Sequence, residues 1–260
     1  MMIYIKTDAE VELLRESNLL VSRTLAEVAK HIRPGVTTLE LDAVAETYIR
    51  DNGALPGFKG YAGFPNTLCT SVNDEVVHGI PSGYTLKEGD IISVDCGVIL
   101  NGFYGDSAFT FAVGEIKPEI QQLLDFTRAS LEAGAREAVE GKRVGDISWA
   151  VQSTAESGGY SVVRTLVGHG IGKHLHEGPE VPNFGKRGSG PKLQRNMVIC
   201  IEPMINMGTK ITRTQNDGWT VRTGDGKPSA HFEYAVAVRE DKAFLLTTFE
   251  FIEEVFKRDK

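Results

Sequence analysis

The chain has 260 residues, 41% hydrophobic and 24% charged, a balance that suits a globular protein with an ample core. Its net charge of -7 argues against a sequence-independent nucleic-acid binder, which needs a basic face. No apolar run approaches the roughly 20 residues of a membrane span, and the opening MMIYIKTDAEVELL lacks the basic-then-apolar pattern of a signal peptide.

Thr7 and Glu10 have capping-box spacing and predict a helix N-terminus. Val11, Leu14, Asn18, Val21, Leu25, Val28 and Ile32 follow at steps of three and four, an apolar face with one polar interruption. Pro34-Gly35 stops it. Thr37 and Glu40 open a shorter helix that runs to about Arg50, closed by Asn52-Gly53. Gly57 to Pro65 reads as strand plus loop, Thr67 to Val72 as a short strand, and Asn73 to Gly83 as a loop. Ile91 to Phe111 reads as two strands around Asn101-Gly102, because a type I′ turn needs positive φ at both central positions. Leu100 then faces Phe103, Asp95 faces Ala108 and Asp106 faces Gly97. The two aspartates become diagonal neighbours on one face, about 7–8 Å apart at the backbone. Between strands this apolar they repel unless a cation sits between them; the alternative is one acid in a turn network and one on a solvated face.

The pattern then restarts. Pro118 suits a helix N1 position, and Ile120, Leu124, Thr127, Leu131, Ala135 and Ala138 mark a helix like the first. Gly141 to Asp146 breaks it, and a short helix runs from Ile147 to about Gly158. Matching Val36 and Leu39 to Val144 and Ile147 gives an internal repeat at a spacing of 108, with halves of about 7–111 and 117–239. That predicts an α+β protein whose two pseudo-symmetric halves close on one site, within a single catalytic domain spanning 1–260. Tyr160 to Val167 reads as a strand, Gly168 to Gly172 as a glycine-punctuated turn, and Val181 to Leu193 as a loop. Met197 to Pro203 is a buried strand ending in Glu202, Gly208 to Gly218 is irregular, and Trp219 to Arg222 and His231 to Arg239 are strands. Glu250 to Lys260 is a charged tail, frayed or helical.

Polar residues stand where these strands should be apolar. In HFEYAVAV, Glu233 shares a face with His231, Ala235 and Ala237, opposite Phe232 and Tyr234. Glu202 ends the run VICIE. Each alone is explained by a paired or half-exposed glutamate, and His169 alone by a turn residue. Together with Asp95 and Asp106 they make an oxygen-rich set with one imidazole. That is unlike a structural zinc site and suited to divalent first-row ions bridged by carboxylates. Three widely spaced cysteines, Cys69, Cys96 and Cys200, form neither a disulfide framework nor a CxxC knuckle, so a reducing cytoplasm is expected.

Several motifs carry a resemblance along the whole chain: Val77-His78-Gly79-Ile80-Pro81, Ile92 to Gly97, Gly105-Asp106, Gly168 to Gly172 with His176, Ile201 to Met204, Gln215 to Trp219, and His231-Phe232-Glu233. With these the chain resembles the type I methionine aminopeptidases, of the pita-bread fold: two pseudo-symmetric halves around a curved antiparallel sheet, with helices on the outer face. The resemblance implies removal of the initiator methionine, when the second residue is small, by metal-activated water attack on the first peptide bond. It implies two divalent ions (Co, Mn, Fe or Zn) on Asp95, Asp106, His169, Glu202 and Glu233, with Glu202 also the general base and acid. His78 and His176 would bind the substrate amide and the oxyanion; the spacing of seven from His169 selects His176 over His174. His31, His174 and His231 carry no role. By the same resemblance Tyr61, Phe64, Cys69, Leu175 and Trp219 line the methionine slot, with Phe64 and Leu175 departing from the Tyr and Phe of bacterial members. The zinc-binding extension of eukaryotic relatives and the insertion of type II enzymes are absent, which points to the minimal, bacterial type. The expected partners are nascent chains that begin Met-small, with the ribosome a candidate; a monomer is expected, and no nucleic acid or membrane. A proline-directed aminopeptidase or dipeptidase of the same fold, or a non-catalytic peptide-binding relative, is the alternative.

Overall fold

Helix α1 (Asp8–Ala29) begins where its capping box predicts: the Glu10 N–H donates to Thr7 Oγ1 and the Thr7 N–H donates to the Glu10 carboxylate. Thr37 and Glu40 repeat the arrangement at the start of α2 (Thr38–Asp51). Pro118 occupies the first turn of α3 (Pro118–Glu137), where its missing N–H costs nothing. Helix α4 (Val144–Ser157) starts three residues earlier than expected, because the Asp146 carboxylate accepts from the Arg143 N–H at 2.8 Å. The expected charged tail is an ordered helix, α5 (Glu250–Arg258), with Ile252 buried. The computed structural model describes residues 2–258, so the last two residues of that tail lie outside the described residues.

The caps of α2 and α4, Thr37 and Arg143, are 106 positions apart, which corrects the expected spacing of 108. At 106, Leu25 matches Leu131, Ala29 matches Ala135 and Leu41 matches Ile147, and all six are buried. At 108, Leu39, half exposed at 50%, would match the buried Ile147. Position relative to the cap decides which face of a helix is buried, so the caps set the true equivalence.

The strand pairings among the described elements are antiparallel. Ile91–Leu100 pairs with Phe103–Ala112 in the expected register, Asp95 opposite Ala108 and Gly97 opposite Asp106. Asn101 and Gly102 take φ of 53° and 78°, as the tight turn demands. Leu68–Val72 and Leu55–Pro56 share the other edge of Ile91–Leu100. In the second half, Val198–Ile201 lies between Tyr234–Ala237 and Val167–Gly170, and Glu177–Pro182 follows. The halves are joined at the hairpin: the Glu233 N–H donates to Ala108 O at 2.9 Å, and Ser107 Oγ donates to Glu233 O at 2.7 Å.

Helix α1 lies directly on the hairpin. A Cβ on Gly105 would sit 2.7 Å from the Ser17 carbonyl carbon, so only glycine permits the approach. The polar interruption on this helix has a structural use: Asn18 Oδ1 accepts from the Asp106 N–H at 3.1 Å, and Asn18 Nδ2 donates to Leu14 O at 2.8 Å. The largest hydrophobic cluster lies between helices and strands and includes Leu25, Val94, Cys96, Leu131 and Val236. A second cluster, with Phe64, Cys69, Leu175 and Cys200, forms beside the candidate site. Alternation along Glu233 to Val238 follows from this division: Tyr234, Val236 and Val238 enter the first cluster, Ala235 and Ala237 the second.

Several expected segments differ. Gly57 to Pro65 is loop with a single 3-10 turn at Tyr61–Gly63. The expected loop after Val72 contains the strand Glu75–Val77. Tyr160 to Val167 keeps only Ser161–Val162 as strand before a break, and Glu177–Pro182 opens as strand where a loop was expected from Val181. The expected His231 to Arg239 strand is interrupted at Phe232-Glu233, leaving Ser229–His231 and Tyr234–Ala237.

Candidate metal centre and its cleft

The largest structural surprise in the site concerns His169. The expected glycine turn begins as a strand, Val167–Gly170. Its glycines serve contact between strands: a Cβ on Gly168 would collide with the Cys200 carbonyl, and one on Gly170 with the Gly178 carbonyl. We expect Gly168→Ala to destabilise the protein by about 1–3 kcal/mol, the usual range for overpacking. Urea unfolding measures this, and an unchanged midpoint would contradict the tight strand contact.

On that strand the buried His169 ring has Nδ1 2.9 Å from Gly170 O. A carbonyl only accepts, so Nδ1 carries the hydrogen and Nε2 is left with its lone pair free. Nε2 lies 3.4 Å from Glu202 Oε1 and 3.8 Å from Asp106 Oδ2. Glu202 follows Val198–Ile201, and Glu233 precedes Tyr234–Ala237. Because Ile201 pairs with Tyr234, the two glutamates face each other just past the end of that ladder. Asp95 and Asp106 come from the hairpin. The five predicted ligands thus arrive from the interiors or ends of five strands and line one cleft.

Burial and mutual repulsion dominate the electrostatics. Burial, then the charges of Glu233 and Asp95, pushes the Asp106 carboxyl well above its usual range. Burial raises Asp95 to about 7, against the lowering effect of its hydrogen bond with Asp106. Glu202 and Glu233 are also raised, first by burial and then by neighbouring carboxylates. Burial lowers His169 to about 3 and His78 to about 4, so both rings are neutral at pH 7. No Lys or Arg lines the cleft among the described residues to offset four acids. Asp95 Oδ1, Asp106 Oδ1 and Glu233 Oε1 are buried without hydrogen-bond partners. Orphaned carboxylate oxygens beside a free imidazole lone pair fit divalent cations and fit little else.

The cleft has a volume of about 480 Å³. All five predicted wall residues, Tyr61, Phe64, Cys69, Leu175 and Trp219, line it, and Phe58 and Met204 extend the wall. Phe64 meets Trp219 edge-on with ring centroids 5.1 Å apart. His78 and His176 also line it. His78 holds φ of 59°, a conformation rare outside glycine and concentrated at functional sites. His176 lies edge-on to His169, centroids 4.3 Å apart, and its Nδ1 is 2.7 Å from the Tyr61 hydroxyl. His174 is exposed, its N–H bound to Glu177 Oε1 at 3.2 Å. The same Glu177 carboxylate pairs with Lys6 in the interior and so anchors the segment that presents His176.

Two residues near the centre were given no role at it from sequence. His231 is buried, with Nε2 3.9 Å from Glu202 Oε2 and both ring nitrogens unpartnered. Cys200 shares a ligand-atom cluster with Asp106, His169 and Glu233, all within 4.8 Å of one another. Strand alternation held the signal for both: His231 is two residues from Glu233, and Cys200 is two from Glu202.

Fold and site together define a carboxylate-rich metallohydrolase centre set at the base of an apolar cleft. Residues 12–240 match the model of metallopeptidase family M24, and the chain belongs to that family. It is 52% identical over 250 residues to a methionine aminopeptidase of Clostridium acetobutylicum, covering 96% of this chain and 100% of the relative. Methionine aminopeptidase 1 of Bacillus subtilis is 48% identical over 246 residues, covering 95% and 99%. The crystal structure of methionine aminopeptidase from Rickettsia prowazekii superposes with a TM-score of 0.94 at 39% identity, covering 95% and 100%. The prolidase from Pyrococcus furiosus shares the fold, with a TM-score of 0.74 at 21% identity, and this chain covers 65% of it. The expected pita-bread architecture is therefore the observed one.

Proposed function

We propose that this chain is a methionyl aminopeptidase that removes the initiator methionine from polypeptides whose second residue is small. The observation that carries the reading is the convergence of four carboxylates and the free Nε2 of His169 at the base of an apolar cleft. Asp95, Asp106, His169, Glu202 and Glu233 would hold two divalent ions; such a donor set accepts Mn, Fe, Co or Zn. Ions held there would supply an acidified water and a polarised scissile carbonyl.

The remaining chemistry belongs to the chain's own groups. Glu202, half-buried and near both His169 and His231, takes the water proton and returns it to the departing amine. Tyr61 donates to Nδ1 of His176, which leaves Nε2–H of that ring to donate to the developing oxyanion. His78, held neutral by burial, hydrogen-bonds the substrate amide. Phe64, Cys69, Leu175 and Trp219 exclude water and receive an unbranched apolar side chain. Cys69 is a wall residue: burial pushes its thiol well up, so it is no nucleophile. Residues 1–260 act as one catalytic domain, a cytoplasmic monomer meeting nascent chains near the ribosome. No helix among the described residues is long and apolar enough to cross a membrane.

Purified protein supplied with Co²⁺, Mn²⁺ or Fe²⁺ is expected to release methionine from Met-Ala-Ser and to leave Ala-Pro-Ala intact. Cleavage of the second peptide but not the first would replace this reading with a proline-directed one.

A further inference from the structure

Cys200 has no part in the proposed reaction, yet it faces the same centre. It lies in Val198–Ile201, two residues before Glu202 and on the same strand face. Its strand partner is Ala235, two residues after Glu233. The side chain is fully buried, and it packs in the apolar cluster beside the cleft. Donor atoms of Asp106, His169, Cys200 and Glu233 all lie within 4.8 Å of one another. Independently of the cysteine, Asp106 Oδ1 and Glu233 Oε1 are buried there without partners.

We infer that Cys200 gives this centre a second mode of metal binding, in which one thiophilic ion is held by Cys200 Sγ together with Asp106, His169 and Glu233. The inference rests on the reading that the centre binds metal. Hard ions such as Mn²⁺ prefer oxygen and imidazole, so with them the thiol keeps its proton and takes no part in holding the ion. A soft ion favours sulfur: the S–metal bond forms as the S–H bond breaks, and the proton leaves to solvent. Four donors of this kind match the coordination number of protein-bound zinc. Occupancy in this mode takes Asp106, His169 and Glu233 away from the pair of ions that the peptidase reaction needs. Thiophilic ions therefore act as inhibitors at this centre by binding the wrong donor set.

Chelator-treated full-length protein titrated with Cd²⁺, and separately with Mn²⁺, tests this by ultraviolet difference absorption and calorimetry. The wild type is expected to develop a thiolate-to-cadmium band that saturates at one equivalent. Cys69→Ser should keep the band, since Cys69 belongs to the cleft wall. Cys200→Ser should lose it and bind Cd²⁺ at least about tenfold more weakly, the low end of the loss seen when the surroundings of a metal are altered, with Mn²⁺ affinity changed less than about threefold. Retained Mn²⁺ binding also shows that the variant folds. A cadmium band in Cys200→Ser, or its absence in wild type that binds Mn²⁺, overturns the inference. Failure of the wild type to bind either ion overturns both the inference and the metal reading beneath it.

Discussion

Glu202→Gln is expected to lower turnover of Met-Ala-Ser by about 10²–10⁴-fold, the usual contribution of a positioned acid–base group. Glutamine keeps the size of the side chain and one carbonyl oxygen but cannot accept and return the proton. The proposed role of Glu202 as proton carrier rests on position: its Oε1 is 3.4 Å from His169 Nε2 and its Oε2 is 3.9 Å from His231 Nε2. Two of the other acids are less accessible, Glu233 at 2% exposure and Asp106 at 4%. Metal content of the variant should be measured alongside its rate. Lost activity with metal retained assigns the effect to proton transfer, whereas activity within threefold of wild type would remove Glu202 from that role.

The second large effect is expected from a one-residue insertion between Asn101 and Gly102. Side chains alternate across a strand, so slipping the register by one turns one aspartate to the opposite face. The hairpin pairs Gly97 with Asp106 and Asp95 with Ala108, and only this register points both carboxylates into the cleft. Turned the other way, Asp106 would enter the apolar layer beneath α1. The insertion should therefore abolish binding of two ions and reduce hydrolysis to background, by metal analysis and the same peptide assay. An insertion after Asp241, in an exposed connection away from the centre, is the control and should leave both intact. Two ions still bound after the hairpin insertion would refute the register dependence.

The hairpin was legible because its determinants are local. Asn-Gly specifies the turn, and the two-residue period then specifies which side chains share a face. The capping boxes at Thr7 and Thr37 were legible for the same reason. Where the expected repeat spacing failed, a non-standard cap was the cause: Arg143 does not resemble Thr37 in type, and only the Asp146 contact shows where α4 begins. The glycines around His169 were misread because they punctuate turns in most sequences. Here their cause is distant in sequence, the carbonyls of Cys200 and Gly178 in neighbouring strands. The cleft wall comes from separated segments around Tyr61, Leu175 and Trp219, and pattern alone could not assemble them; resemblance to a family supplied that grouping.

What the sequence by itself determined was the set of elements with local cause: two capped helices, a hairpin of known register, and strands interrupted by acids that had no reason to be there. From those acids and one histidine followed the kind of chemistry. Only the tertiary structure decided the rest. It placed Glu202 opposite Glu233, turned His169 Nε2 toward both Asp106 and Glu202, joined Tyr61 to His176, and brought Cys200 and His231 to the same centre. The physical reason lies in the range of each determinant. Turn and cap preferences act over a few residues, whereas a buried charge is defined by what surrounds it, and its neighbours here come from strands up to more than a hundred residues away.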